Sequence, residues 1–268
     1  MSILIRAHRA VRKLSAKYRS LPGFLIIGAQ KAGTTSLLSY LGQHPAIIPG
    51  FNKEPRYFTN FYADPLNSYR TNFPLQRSLS PGQMTGEATP YYLFHPQVPQ
   101  RVHAVLPEVK IVILLRDPVD RCISHYFHEK KYDNENLGLE EALKAEKSRM
   151  ENGMEELHLT GQSFSHQHFS YLSRGIYVDQ LERWFKYFQQ SQIKIIKSEN
   201  FFQNSDQVLA ELEEYFGLET YEDYNFRPQN VGNYQSKVNE STLQWLKNYY
   251  QPHNKRLSAL VADSISWE

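Results

Sequence analysis

The sequence has 268 residues, 41% of them hydrophobic, which suits one domain with a sizeable core. Thirty basic and 28 acidic side chains leave a formal charge of +2, so the charge balance favours no nucleic-acid partner. The only cysteine, Cys122, excludes an intrachain disulfide. No stretch approaches the ~20 apolar residues needed to cross a bilayer, and no signal peptide is visible, so we expect a cytoplasmic protein.

Residues 1–20 form a basic segment at the start of the chain. Its charges are all positive, at Arg6, Arg9, Arg12, Lys13, Lys17 and Arg19. Its apolar side chains recur at helical spacing, at Ile3, Ala7, Val11, Leu14 and Tyr18. The pattern predicts an amphipathic helix with two open interpretations. Such a helix lies on an anionic membrane surface, or it packs on its own domain with its charges solvated.

Beyond residue 20, short apolar runs alternate with patterns typical of helices. In chain order, the predicted strands are Phe24–Gly28, a short strand before Gly50, Lys110–Leu115 and residues 193–196. The predicted helices are Thr34–Leu41, residues 118–131, 179–188 and 207–216, and a final helix from Ser241 onward. Asp117 and Pro118 are favoured N-cap and first-turn residues. The polar residues 133–170 contain three glycines, so we expect helices with a mobile connection there, in a segment that shapes acceptor choice.

This alternation predicts an α/β fold, in which a central parallel sheet is flanked by helices on both faces. We see no internal repeat or linker, so residues 21–268 are predicted to be a single domain that follows the N-terminal helix. In sheets of this kind, ligands bind at the carboxyl ends of the strands.

The loop between the first strand and the first helix is the strongest candidate for a binding site. Residues 28–36 read Gly-Ala-Gln-Lys-Ala-Gly-Thr-Thr-Ser. Glycines let the backbone turn around an oxyanion, and the helix start adds N–H and hydroxyl donors. A Walker A loop carries its lysine directly after the second glycine, where this chain has Thr34, while Lys31 lies earlier. A P-loop kinase or triphosphatase is therefore disfavoured but stays open.

The order Lys-x-Gly-Thr-Thr-Ser resembles the 5′-phosphosulfate loop of the sulfotransferases that use 3′-phosphoadenosine 5′-phosphosulfate (PAPS). Residues 114–126, Leu-Leu-Arg-Asp-Pro-Val-Asp-Arg-Cys-Ile-Ser-His-Tyr, resemble the same family's 3′-phosphate motif. The resemblance implies a P-loop-like fold, PAPS as donor and PAP as product, without a metal. It also implies a set of nucleotide-binding residues, namely Lys31, Ala32, Gly33, Thr34, Thr35, Ser36, Arg116 and Ser124.

Residues 50–58, Gly-Phe-Asn-Lys-Glu-Pro-Arg-Tyr-Phe, resemble the acceptor-side segment of the family's heparan-sulfate branch. By this resemblance Glu54 is the general base, and Lys31 stabilises charge on the leaving phosphate. Lys53 and Arg56 are then candidate substrate contacts. The alternative for Glu54 is a solvated surface carboxylate beside those two cations.

Three further segments match the family. Residues 86–92 resemble its E-x-[ST]-P-x-Y segment and make Glu87 a candidate substrate contact, although the 3-O branch has lysine in place of Ala88. Residues 173–177 resemble an R-G-x-Y element that opens a helix. Residues 230–237 occupy the position of the family's loop that closes over the nucleotide, although the usual basic residue before its glycine is Val231 here. The resemblance implies contacts from Gly232, Asn233 and Tyr234.

Three histidines, His158, His166 and His168, cluster in the polar middle segment. We interpret them as solvated residues or acceptor contacts, because a zinc site needs a fourth well-placed ligand. The sequence thus predicts an enzyme that moves a sulfuryl group from PAPS to a hydroxyl or amine of an acceptor, with a glycan as the favoured acceptor. The alternatives are a P-loop phosphotransferase and a binding module without catalysis.

Overall fold

The computed structural model describes residues 10–226, 238–262 and 265–267. Its centre is a five-stranded sheet in the order β2-β3-β1-β4-β5, and each neighbouring pair is parallel. The strands are β1 (Phe24–Gly28), β2 (Ile47–Pro49), β3 (Met84–Ala88), β4 (Lys110–Leu115) and β5 (Ile193–Lys197).

Helices connect and cover these strands, which confirms the predicted α/β fold. In chain order they are α1 (Thr34–Leu41), α2 (Tyr57–Asn60), α3 (Leu66–Arg70), α4 (Val98–Val105), α5 (Pro118–Lys131), α6 (Leu139–Thr160), α7 (Phe164–His168), α8 (Tyr177–Phe185), α9 (Ser198–Gln203), α10 (Ser205–Phe216) and α11 (Glu240–Leu260). No helix among these described residues is long and apolar enough to cross a membrane.

The two central strands, β1 and β4, are buried along almost their whole length. Helices cover both faces of a parallel sheet, so its middle strands consist of continuous apolar runs. The chain leaves β1 toward β2 on one side and leaves β4 toward β5 on the other. The carboxyl ends of β1 and β4 therefore form the switch point of the sheet, where ligands bind in folds of this kind.

Strand β3 was not predicted, because its sequence, Met-Thr-Gly-Glu-Ala, lacks an apolar run. Gly86 is needed for packing: a Cβ there would lie 2.3 Å from the ring of Phe24 on the neighbouring strand. The glycine thus marks a close approach between side chain and backbone rather than a break in the strand.

Residues 133–170 form two helices, α6 and α7, as predicted, and Gly153 does not interrupt the first of them. Gly138 and Gly161 are the caps of α6, and Gly161 adopts the left-handed conformation with φ 78°. Gly153 lies inside α6, where a Cβ would come within 3.0 Å of the backbone nitrogen of His166. The helix keeps this glycine because α7 packs directly against it.

The described part of the N-terminal segment is helical over residues 10–14 and passes into a 3-10 turn at Ala16–Tyr18. Arg12 donates hydrogen bonds to the carbonyls of Thr71 and Phe73, and Arg19 donates to Phe73 at 2.7 Å. These two basic side chains therefore hold the segment to the domain. Leu14, by contrast, is 84% exposed.

A second, smaller core lies where α5 packs between α6 and α11. It contains Cys122 and Ile123 from α5, Leu143 from α6, and Leu246 and Tyr250 from α11. Cys122 is fully buried, and burial raises the pKa of its thiol to about 12. This cluster fixes the axis of α5, the helix that follows Arg116.

Candidate active site

The loop after β1 has the backbone conformation of an anion-binding turn. Gly33, the N-cap of α1, has φ 97°, and a Cβ there would lie 2.7 Å from the ring of Phe202. Lys31 also adopts a left-handed conformation, with φ 72°. The hydroxyl of Ser198, the first residue of α9, donates to the carbonyl of Ala32 at 2.8 Å and so ties the loop to that helix. The first N–H groups of α1, at Thr34, have no partner within the helix, so they are available to an anion.

Lys31 lies among other cations. Its Nζ is 3.4 Å from Nδ1 of His128 on α5. Burial lowers the pKa of Lys31, and the charge of Arg116 lowers it further, with smaller effects from Lys131 and Lys53. Glu129 acts in the opposite direction but more weakly than Arg116. Cations held this close together suit a polyanionic ligand, because its negative charge would offset their repulsion.

The structure brings Arg116 close to Lys31. Arg116 follows β4, donates from Nη1 to the carbonyl of Lys31 at 3.3 Å, and has its Nη2 3.4 Å from Oδ2 of Asp120. Asp117 caps α5 through a hydrogen bond from the Asp120 N–H. Ser124 is buried one turn further along α5. The two predicted phosphate motifs therefore meet at the switch point of the sheet.

The R-G-x-Y element braces both motifs. The hydroxyl of Tyr177 donates to the carbonyl of Arg116 at 2.9 Å. The guanidinium of Arg174 is buried and donates to the side chain of Gln30, next to Lys31. These contacts tie the start of α8 to the loop after β1 and to the end of β4.

The acceptor-side segment lies at the surface. The Glu54 carboxylate is 3.1 Å from Nη2 of Arg56, and the Glu54 side chain is 27% exposed. Arg56 has φ 56° and is the N-cap of α2. Lys53, beside Glu54, is close enough to Lys31 for its charge to lower the Lys31 pKa. Glu54 is therefore a partly exposed carboxylate paired with Arg56, next to a lysine whose charge reaches Lys31.

Glu87, a predicted substrate contact, lies beneath this segment and is 1% exposed. Its carboxylate accepts hydrogen bonds from the hydroxyls of Tyr69 at 2.9 Å, Tyr92 at 3.1 Å and Thr89 at 2.5 Å. Burial raises the pKa of Glu87 to about 7, while the three hydroxyls lower it and the charge of Glu54 raises it. Within the part of the chain that the structure describes, these hydrogen-bond partners are all side chains of the same buried layer.

A family model described as the sulfotransferase domain matches residues 21–259. The chain belongs to the sulfotransferase family. It is therefore an enzyme of sulfuryl transfer, and the kinase or triphosphatase interpretation is not favoured.

Individual relatives agree with this assignment. The membrane-associated sulfotransferase kil1 of Dictyostelium discoideum is 27% identical, over 95% of this chain and 68% of its own. Human heparan sulfate glucosamine 3-O-sulfotransferase 6 is 25% identical, over 93% and 74%. The crystal structure of a sulfotransferase from Alicyclobacillus acidocaldarius has a TM-score of 0.76 at 27% identity, over 92% of this chain and 98% of that one.

Sequence reasoning missed two residues of the candidate site that lie near Lys31, His128 and Glu129. The Glu129 carboxylate lies 2.9 Å from Nδ1 of His168 and 3.4 Å from Nε2 of His125, and it accepts from Asn134 at 2.7 Å. A usable signal was present for one of them, because His128 lies four residues after Ser124 and so on the same helix face. The role of Glu129 depends on α7, which is remote in sequence.

The three histidines of the middle segment differ in environment. His166 is buried, lies 2.6 Å from the hydroxyl of Tyr91 and stacks on Phe94. His168 is 25% exposed and stacks on Phe164 at 4.3 Å between ring centroids. His158 is exposed near the end of α6. Within the described residues, no group of three or more His, Cys, Asp or Glu could hold a metal ion.

The predicted nucleotide-closing residues Gly232, Asn233 and Tyr234 lie outside the described residues. The other predicted nucleotide-binding residues all fall in the loop after β1, at the start of α1, or between the end of β4 and the second turn of α5.

Proposed function

We propose that this sulfotransferase transfers the sulfuryl group of PAPS to a hydroxyl or an amine of a glycan. The observation that carries the proposal is the convergence of Lys31, Arg116 and the start of α1 at the ends of β1 and β4. Cations and helix N–H groups at one point suit a ligand with several phosphate or sulfate groups. The relatives named as heparan sulfate sulfotransferases support a sugar as acceptor.

The donor half is assigned to the two phosphate motifs. Lys31 to Ser36 would hold the 5′-phosphosulfate, and Arg116 with Ser124 would hold the 3′-phosphate, with Gly232, Asn233 and Tyr234 as further proposed contacts. When bound, PAPS supplies an activated sulfuryl group. Lys31 then stabilises the negative charge that develops on the leaving 5′-phosphate.

The acceptor half is assigned to the segment around Glu54. The acceptor oxygen or nitrogen attacks sulfur in line, a new bond to sulfur forms as the bond to the 5′-phosphate oxygen breaks, and the acceptor proton goes to Glu54. Arg56, whose Nη2 lies 3.1 Å from the Glu54 carboxylate, is the charged partner of this base. Lys53 and Arg56 would meet the charged groups of an anionic sugar.

The middle segment is proposed to contribute to acceptor choice. Gln162 donates to the carbonyl of Asn60, directly after the Glu54 segment, at 3.0 Å. At the other end of this segment, His168 of α7 contacts Glu129, which lies on α5 near the proposed donor half. Phe164 and His168 thus present an exposed aromatic stack between the two halves of the site, and a flat ring of this kind suits a pyranose face.

The N-terminal segment is proposed to contact an anionic membrane surface from the cytoplasmic side. Val11, Leu14 and Tyr18 are exposed, while Arg12 and Arg19 face the domain. Lys13 and Lys17 flank the exposed apolar side chains. An apolar patch with adjacent lysines suits the interface of anionic lipids.

The proposed function is tested by isothermal titration of the protein with PAP, and separately with ATP and magnesium. We expect PAP binding without a metal and a loss of affinity of roughly 10- to 100-fold in Arg116→Ala, the range for charge-assisted hydrogen bonds. Arg256→Ala is the matched control, because Arg256 pairs with Asp179 on the exposed surface. Absence of PAP binding, or a preference for ATP and magnesium, would contradict the proposal.

Activity measurements test the proposed acceptor half independently of the proposed donor half. With PAPS and a panel of desulfated heparan sulfate oligosaccharides, Glu54→Gln should lower kcat by about 10²–10⁴-fold, the range for loss of a general base. PAP affinity should not change in this variant. Full activity of the Glu54→Gln variant would show that another group accepts the proton of the acceptor.

A further inference from the structure

We propose that Glu87 is a positioning residue, which holds the segment that carries Glu54 through the rings of Tyr69 and Tyr92. The inference rests on the proposed function only for the role of Glu54. The geometry that supports it belongs to the buried layer beneath the acceptor side, and no part of it depends on the nucleotide.

Glu87 is placed to act as an anchor. It lies near the end of β3, opposite Leu25 of β1, so the sheet fixes its backbone. Both carboxylate oxygens are engaged, one by the Tyr69 and Tyr92 hydroxyls and the other by Thr89. A buried carboxylate is costly unless it is fully hydrogen-bonded, so these donors are held firmly.

The two tyrosine donors reach the Glu54 segment directly. The hydroxyl of Tyr92, which donates to Glu87, accepts a hydrogen bond from the Phe58 N–H at 3.4 Å. The ring of Tyr69 stacks on Tyr57 with centroids 4.6 Å apart and planes 14° apart. The Phe58 ring meets both tyrosines edge-on, at 5.2 Å and 5.6 Å.

Tyr57 and Phe58 open α2, and the chain from Glu54 to this helix is short and stiff. Pro55 has a fixed φ, and Arg56 holds a left-handed conformation as the N-cap of α2. A shift of α2 is therefore transmitted to the Glu54 carboxylate. The path from the sheet to Glu54 runs through Glu87, Tyr92 and Phe58.

Hydrogen exchange of the backbone amides tests the inference without any acceptor. In Glu87→Gln and in Tyr92→Phe, we expect exchange across residues 56–61 to accelerate several-fold, while residues 110–131 stay protected as in the wild type. Tyr171→Phe is the matched control, because it removes a buried tyrosine hydroxyl from Glu135, a glutamate on another part of the fold. Unchanged exchange over 56–61 in both test variants overturns the inference.

Activity gives a second readout that a purely structural role would not produce. Glu87→Gln should lower kcat by about tenfold with PAP affinity unchanged, and it should cost little more in a Glu54→Gln background, because residues that act through one group are non-additive. Fully additive losses would contradict the inference. Failure of PAP to bind the wild type would instead overturn the proposed function and leave the exchange result standing.

Discussion

Glu87 exchanges a proton near neutral pH, because burial raises the pKa of its carboxyl to about 7. In the unfolded chain this pKa returns to about 4.3. Between these values the folded state binds one proton more than the unfolded state, so the free energy of unfolding falls as the pH rises. By pH 7, the titration of Glu87 has lowered the free energy of unfolding by about 3 kcal/mol, at about 1.4 kcal/mol for each pH unit.

Thermal unfolding from pH 5 to pH 8 measures this effect as the difference between the wild type and Glu87→Gln. We expect the Tm of the wild type to fall, relative to that of the variant, up to about pH 7, and the difference to be constant above it. Parallel curves throughout this range would show that Glu87 does not titrate there.

At the scale of elements, α7 is where the fold places exposed aromatic surface, between the proposed donor and acceptor halves of the site. Phe164 is 51% exposed, and its ring lies over His168, which Glu129 orients. Phe164→Ala should raise the KM for a sugar acceptor by about 3- to 10-fold, the worth of one aromatic contact, and leave the KM for PAPS unchanged. Kinetics with desulfated heparan sulfate oligosaccharides measure both constants.

Trp245→Ala provides the control for this variant, since Trp245 is similarly exposed but lies on α11 in a different part of the surface. Equal effects of the two substitutions would argue against a specific role for α7.

Elements with an unbroken local pattern were predictable from the sequence. The bounds of β1, β4, α1 and α5 agree with the prediction, because apolar runs, a glycine turn and the Asp117 cap mark their ends. The bounds of β3 and α6 could not be predicted, because Gly86 and Gly153 are required by neighbours that are remote in the chain. The same limit applies to the site. Lys31 and Arg116 follow strands, so the sequence could place them at the strand ends, whereas the buried state of Glu87 depends on tertiary packing.

At the scale of the whole molecule, the N-terminal segment offers a surface that the domain itself leaves uncovered. Leu14→Asp should reduce sedimentation of the protein with vesicles of anionic phospholipid, because it places a charge in the exposed apolar patch. Leu159→Asp is the control, since Leu159 is also strongly exposed but lies on α6. Equal binding of both variants and the wild type would contradict membrane contact through this segment. Point substitutions are preferred to deletion of residues 1–20, because Arg19 is buried against Phe73.

The burial of Cys122 has a practical consequence for following this enzyme at work. A thiol reacts with maleimides as its thiolate, and a buried thiol with a pKa of about 12 stays protonated and shielded. Because it is the only cysteine in the chain, Phe164→Cys would create a single reactive thiol without removal of the native one. A fluorophore or spin label at that position would report the approach of the acceptor in real time.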